Sequence, residues 1–242
     1  MENRDRLIIA LDFSELNHVK RLVEQLGDRI SYYKVGMELY YSVGNSVIDY
    51  LRELDKNIFL VLKLHDIPNT VANGLIALTR LGVSMLNVHA TGGPTMLKAA
   101  AEAVKNEAAA LAIPRPQLIA VTVLTSIHEN DWAALGQERA IAEQVVRFAS
   151  LAQEAGIDGV VASPQEAELI RKACGNEFLI VTPGVRPQGS ALNDQSRVAT
   201  PAGALNAGAS HLVVGRPITA ADNPRAAAEN ILDEMRTAYE RN

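Results

Sequence analysis

Short apolar runs rich in β-branched residues alternate with amphipathic stretches along the whole chain. The runs begin at Leu7 (LIIALD), Ser31 (SYYKVG), Ile58 (IFLVLK), Met85 (MLNVHA), Leu118 (LIAVTVL), Gly159 (GVVAS), Phe178 (FLIVTP) and His211 (HLVVG). They are apolar almost throughout, as parallel strands covered on both faces should be. Between them the period lengthens to that of a helix. In NHVKRLVEQLGD, Val19, Leu22, Val23 and Leu26 share one face and Gly27 marks the helix end. The segment from Pro94 to Ala110 is alanine-rich, which favours helix and says nothing more. Residues 106–117, NEAAALAIPRPQ, read as a helix end and a proline-marked loop, not as a linker. Eight strand–helix units leave roughly 30 residues each, the size of a βαβ repeat. The economical expectation is a single α/β domain over residues 1–242, a (β/α)8 TIM barrel. A doubly wound open sheet is the rival, because periodicity alone cannot close a sheet.

Composition narrows the function classes. In 242 residues, 48% are hydrophobic and 21% charged, so wholesale disorder is excluded. The formal net charge is -5 and no basic run exists, which argues against non-specific nucleic-acid binding. The opening MENRDRLIIALDF has too short an apolar run for a signal peptide, and no stretch approaches the length of a membrane span. A cytoplasmic protein is expected. The single cysteine, Cys174, can form neither an internal disulfide nor a cysteine-based metal site. No HExxH, CxxC, GxGxxG or nucleophile elbow appears, and no tight structural metal is expected.

Sites in (β/α)8 barrels lie at the C-terminal ends of the strands. Those ends carry Asp12, Lys34, the segment from Lys63 to Thr70, His89, Thr125, Ser163, the segment from Pro183 to Arg186, and Gly215–Arg216. In FLVLKLHDIPNTV, Val61 and Lys63 share one face and Leu60 and Leu62 the other. If the leucines pack on the helices, Lys63 points into the barrel mouth; its plain alternative is a lysine snorkelling at the rim. Asp66, with Pro68 after it, also reads as a turn or helix cap. Lys34 is a second lysine aimed at the same mouth, and two ammonium groups persist together only beside carboxylates or an anionic ligand. Gly215–Arg216 follows the eighth run, where barrels frequently bind phosphate, though taken alone a glycine turn with a surface arginine is the favoured reading. Residues 182–201 (TPGVRPQGSALNDQSRVATP) form a long polar loop, either a lid carrying Arg186 and Gln195 or a surface loop. His65 is read as a packing residue turned away from Lys63, His89 as a candidate lining residue, and His18 and His128 as surface residues.

Taken in order, LIIALDF, YYKVGMELYY, LKLHDIPNTV, LNVHATGG, VTVLTS, VTPGVR, NDQSRVATP and VVGRPIT resemble the bacterial orotidine 5′-monophosphate decarboxylases from about residue 6 to 238. The resemblance implies a barrel that dimerises with active sites at the subunit interface. It implies cofactor-free loss of CO2 from orotidine 5′-monophosphate to give UMP, the last step of de novo pyrimidine synthesis. It implies Lys63 as proton donor to C6, with Lys34 and Asp66 in the charged network around it and Asp66 supplied by the neighbouring subunit. By the same resemblance Asp12 and Thr70 contact the ribose, with Ile67 also at the substrate. Thr125 and Ser126 contact the pyrimidine. Pro183, Arg186, Gln195, Gly215 and Arg216 hold the phosphate and close the lid.

One position departs. The family places an aspartate two residues before the catalytic lysine, where this chain has Val61. That carboxylate would face the substrate carboxylate and keep the lysines charged and oriented. Its loss removes a repulsion but loosens Lys63, and orientation is expected to dominate, giving weakened decarboxylation with ligand binding retained. Two other readings stay open: a catalytically weakened nucleotide-binding dimer, and a related metal-dependent phosphosugar decarboxylase or aldolase.

Overall fold

A computed structural model describes residues 3–187 and 199–238. The strands are β1 (Leu7–Leu11), β2 (Tyr32–Gly36), β3 (Asn57–Leu64), β4 (Met85–His89), β5 (Gln117–Val121), β6 (Gly159–Val161), β7 (Leu179–Thr182) and β8 (His211–Val214). Neighbours pair in parallel in chain order, and β1 pairs with β8, as Leu7 with Leu212. The sheet is therefore a closed barrel, and the open-sheet alternative falls.

Alternation along the strands builds two cores. Leu7, Ile9 and Leu11 turn outward into the layer shared with the helices, while Ile8 and Ala10 turn inward. The inner core continues through Tyr32, Phe59, Val61, Met85, Ile119, Val181 and Val213. Outside, the helix Leu16–Leu26 buries Val19, Leu22, Val23 and Leu26, and ends at Gly27 with φ 54°. Each such aliphatic side chain contributes about 1.5–3 kcal/mol by leaving water. Gly159 is required by packing, since a Cβ there would stand 2.4 Å from the Leu179 carbonyl oxygen. The loop after residue 110 connects the helix Gly93–Ala110 to β5, as the prolines predicted.

One irregularity shapes the mouth. Leu60 pairs with Leu86 and Leu64 with Val88, so four steps along β3 face two along β4. The two extra residues keep the inside–outside parity: Val61 and Lys63 line the interior cavity, while Leu62 and Leu64 pack on the outer core. Lys63 completes the bulge in the left-handed region, φ 52°. Among the described residues no helix is long and apolar enough to cross a membrane.

Candidate active site

The strands end at a cavity of about 200 Å³ whose polar lining includes Lys34, Lys63, Asn87 and Thr125, with Val61 and Pro183 on its walls. Asp12 follows β1 directly, and β1 pairs with β2 in a register that sets Ala10 beside Lys34. The Lys34 ammonium then reaches the Asp12 carboxylate at 2.7 Å. Gly36 keeps this pair close, because a Cβ there would lie 3.3 Å from Lys34 Nζ and 3.4 Å from Asp12 Oδ1.

Lys63 is half-buried beside that pair. Burial holds its proton affinity below the ordinary lysine value, the Lys34 charge adds to the depression, and Asp12 opposes it. Among the described residues no hydrogen bond or ion pair holds the ammonium. Its backbone N–H is held: it donates to Asn87 Oδ1 at 2.9 Å. The rim reading of Lys63 thus gives way to an amine that lines the interior. Val61 is 8% exposed and presents only methyl groups to the same space.

The DIPNT segment lies outside this cavity. Asp66, Ile67 and Thr70 are exposed, Ile67 by 66%. Asp66 Oδ1 accepts from the Ile67 N–H at 2.6 Å, a local turn contact, and the helix Pro68–Thr79 starts with its proline as the sequence suggests. Within one chain Asp66 is not among the groups that set the Lys63 charge.

On the opposite rim, Arg186 is 7% exposed and its Nε is buried without a partner among the described residues. Burial lowers its proton affinity, and the nearby Arg216 charge lowers it further. Two guanidinium groups close enough to repel favour an anion beside them. Arg216 opens a short helix, Arg216–Thr219, directly after Gly215. A Cβ at Gly215 would make ordinary contacts, 3.5 Å to Ala10 and 3.8 Å to Asp12 Oδ2, so packing does not demand glycine there. Glycine instead leaves the backbone open to approach. Gln195 lies outside the described residues, as does most of the long polar loop. Ser126 is exposed next to Thr125.

His89 differs from its expected place. It lines a neighbouring cleft with His65, the two rings 5.5 Å apart, and not the central cavity. It closes β4 just before the chain turns into a 3-10 helix at Ala90, where strand alternation no longer governs its direction. His18 and His128 are exposed. Asn87 and Gly36 were not singled out from sequence. Asn87 had a visible signal, a lone amide inside the apolar run MLNVH. Among the described residues no three His, Cys, Asp or Glu side chains come together as metal ligands.

The model of the orotidine 5′-phosphate decarboxylase / HUMPS family matches residues 5–231. The chain belongs to this family. It is 55% identical to the orotidine 5′-phosphate decarboxylase of Moorella thermoacetica, over 97% of this chain and 94% of that protein. It is 50% identical to the orotidine 5′-phosphate decarboxylase of Geobacter sulfurreducens, over 96% of both. The crystal structure of the orotidine 5′-phosphate decarboxylase of Lactobacillus acidophilus superposes with a TM-score of 0.83 at 40% identity, covering 96% of this chain and 99% of that one. Family membership covers nearly the whole chain, so the strand ends described above are the ends of the family's own barrel.

Proposed function

We propose that this member of the orotidine 5′-phosphate decarboxylase family converts orotidine 5′-monophosphate to UMP, without a cofactor, at a rate held down by Val61. The observation that carries the reading is the Lys63 ammonium, held inside a mostly apolar cavity beside the Lys34–Asp12 pair. Loss of CO2 leaves an electron pair at C6 of the pyrimidine. A preorganised cation stabilises that charge far better in a desolvated pocket than in water, and Lys63 then delivers a proton to C6. Its lowered proton affinity suits the donor role, because a weaker-binding ammonium gives up its proton more readily.

The phosphate end is assigned to Arg186, Gly215 and Arg216, with Gln195 and Pro183. Its binding energy is remote from the bond that breaks and serves to orient the base over Lys63. Asp12 and Lys34 take the ribose side, and Thr125 and Ser126 the pyrimidine. Asp66, Ile67 and Thr70 are assigned to the site of a partner subunit in a homodimer; their exposure in the single chain supports this. Residues 1–242 then form one decarboxylase domain.

Val61 favours one second reading, a dimer that binds the nucleotide with little turnover. An absorbance assay of orotidine 5′-monophosphate loss separates the two. Measurable turnover that Lys63→Ala abolishes supports the enzyme. UMP binding with no turnover at any protein concentration supports the silent binder.

A further inference from the structure

Asn87 occupies an unusual position. It is 1% exposed, sits in the middle of an otherwise apolar strand, and faces the stretch of β3 where three residues, Val61 to Lys63, stand opposite it alone. A bulge in a parallel pair strands backbone groups that a continuous ladder would satisfy. The Asn87 side chain fills that gap, with its Oδ1 accepting the Lys63 N–H in place of a main-chain carbonyl. The residue so held is Lys63, whose φ of 52° is a conformation that a long L side chain adopts only under constraint. The other end of the amide, Nδ2, is buried with no acceptor among the described residues, and Val61, lining the same cavity, offers none. A buried amide left half-satisfied weakens the fold, and its place is explained by what its other half does.

We propose that Asn87 is the positioning residue for the Lys63 amine: by capping the β3 bulge through the Lys63 backbone, it fixes the direction in which that side chain enters the cavity. Resting on the decarboxylase reading for its kinetic consequence, this makes Asn87 a determinant of kcat that acts through Lys63. Losing the bond frees the bulge to relax, and the amine swings away from C6 and from Lys34 towards solvent. In the neighbouring cleft, burial first and then the His65 and Lys63 charges lower the proton affinity of His89.

The test uses Asn87→Ala in the full chain and in a Val61→Asp background. The expected result is a ten- to hundredfold fall in kcat, on the order that a misplacement of about 1 Å produces. KM for orotidine 5′-monophosphate and the affinity for UMP should change by less than about threefold, because uniform binding is left intact. With ε-13C-labelled lysine, the Lys63 amine should titrate higher in the variant, as it escapes burial and the Lys34 charge. Unchanged kcat and unchanged titration in a folded, UMP-binding variant overturn the proposal. Should Asn87→Ala fail to fold, hydrogen exchange at the Lys63 amide of the unaltered protein decides: slow exchange supports the cap, and exchange at the rate of an open loop refutes it. If the unaltered chain turns over no substrate, the decarboxylase reading fails, while the exchange and titration measurements still judge Asn87.

Discussion

Lys34 pairs with Asp12 at 2.7 Å, while among the described residues no carboxylate pairs with Lys63, half-buried beside them. Val61 stands on the same strand face as Lys63, two residues before it, and supplies methyl groups where a carboxylate would balance and steer the amine.

Restoring that carboxylate should therefore raise the rate. Val61→Asp is expected to increase kcat by at least tenfold, the lower range for re-orienting a reacting group. Affinity for UMP should change little, since the product lacks the carboxylate that the new aspartate repels. A steady-state comparison at saturating substrate checks both, and an unchanged kcat would remove Val61 as the limiting feature.

The charge of Lys63 should set the alkaline limb of activity. Its folded proton affinity is depressed, so the ammonium is lost as pH rises through a value below that of a free lysine. Lys34→Met removes the neighbouring repulsion and frees Asp12 to face Lys63. The limb should then move to higher pH, even as kcat falls through loss of the ribose contact. A pH–rate profile of the two proteins is sufficient, and a limb that moves down would contradict the assignment.

Arg216→Ala should weaken kcat/KM by about ten- to a hundredfold, corresponding to roughly 1.5–3 kcal/mol for a lost hydrogen bond to a charged group. Part of the loss should fall on kcat, because the phosphate grip also orients the base. Inorganic phosphite or phosphate added with a substrate lacking the 5′-phosphoryl group should restore some turnover in the unaltered chain and less in the variant.

The proposed sharing of sites between two subunits predicts complementation. Lys63→Ala and Asp66→Asn should each be nearly inactive alone. Mixed and allowed to exchange subunits, they form hybrids with one intact site, recovering about a quarter of the parent activity for a two-fold dimer. No recovery, with exchange verified by native mass spectrometry, would place Asp66 in its own subunit's site or in none.

At the other end of the barrel, His211 stacks edge-on against Tyr32, ring centroids 5.9 Å apart, and is 2% exposed, with Nδ1 unpartnered among the described residues. Burial first, and the Arg6 charge second, push its pKa down to about 4. The folded state binds that proton less readily than the unfolded chain. The neutral imidazole's contribution is thus complete above about pH 6.5, the unfolded value, and is lost as pH falls towards 4; the full depression is worth about 3 kcal/mol. His211→Phe should flatten the acid side of the stability profile in urea titrations between these pH values, and an unchanged slope would point to another group.

The strands, their order along the chain and their inward and outward faces were legible in the sequence, because side-chain parity is fixed by the backbone and burial on both faces leaves an apolar signature. So were Lys34, Lys63, Arg186 and Arg216, which stand as charges at the ends of apolar runs. Closure of the sheet was not legible, because pairing β1 with β8 is a contact between distant segments that no local period encodes. Neither was the β3 bulge. LVLKL reads as plain alternation, and since two inserted residues preserve parity, the prediction that Lys63 points inward held for a strand that is not regular. Asn87 gained its meaning only when β4 was laid against that bulge. Its bond to Lys63 joins residues 24 positions apart, while Asp66, three residues from Lys63 in sequence, is exposed and not part of the lining of the cavity that Lys63 lines. Sequence determined which side chains could do chemistry, through their type and their place at strand ends. Tertiary structure decided which of them meet, because distance across a barrel depends on register and closure, and neither is a property of any single segment.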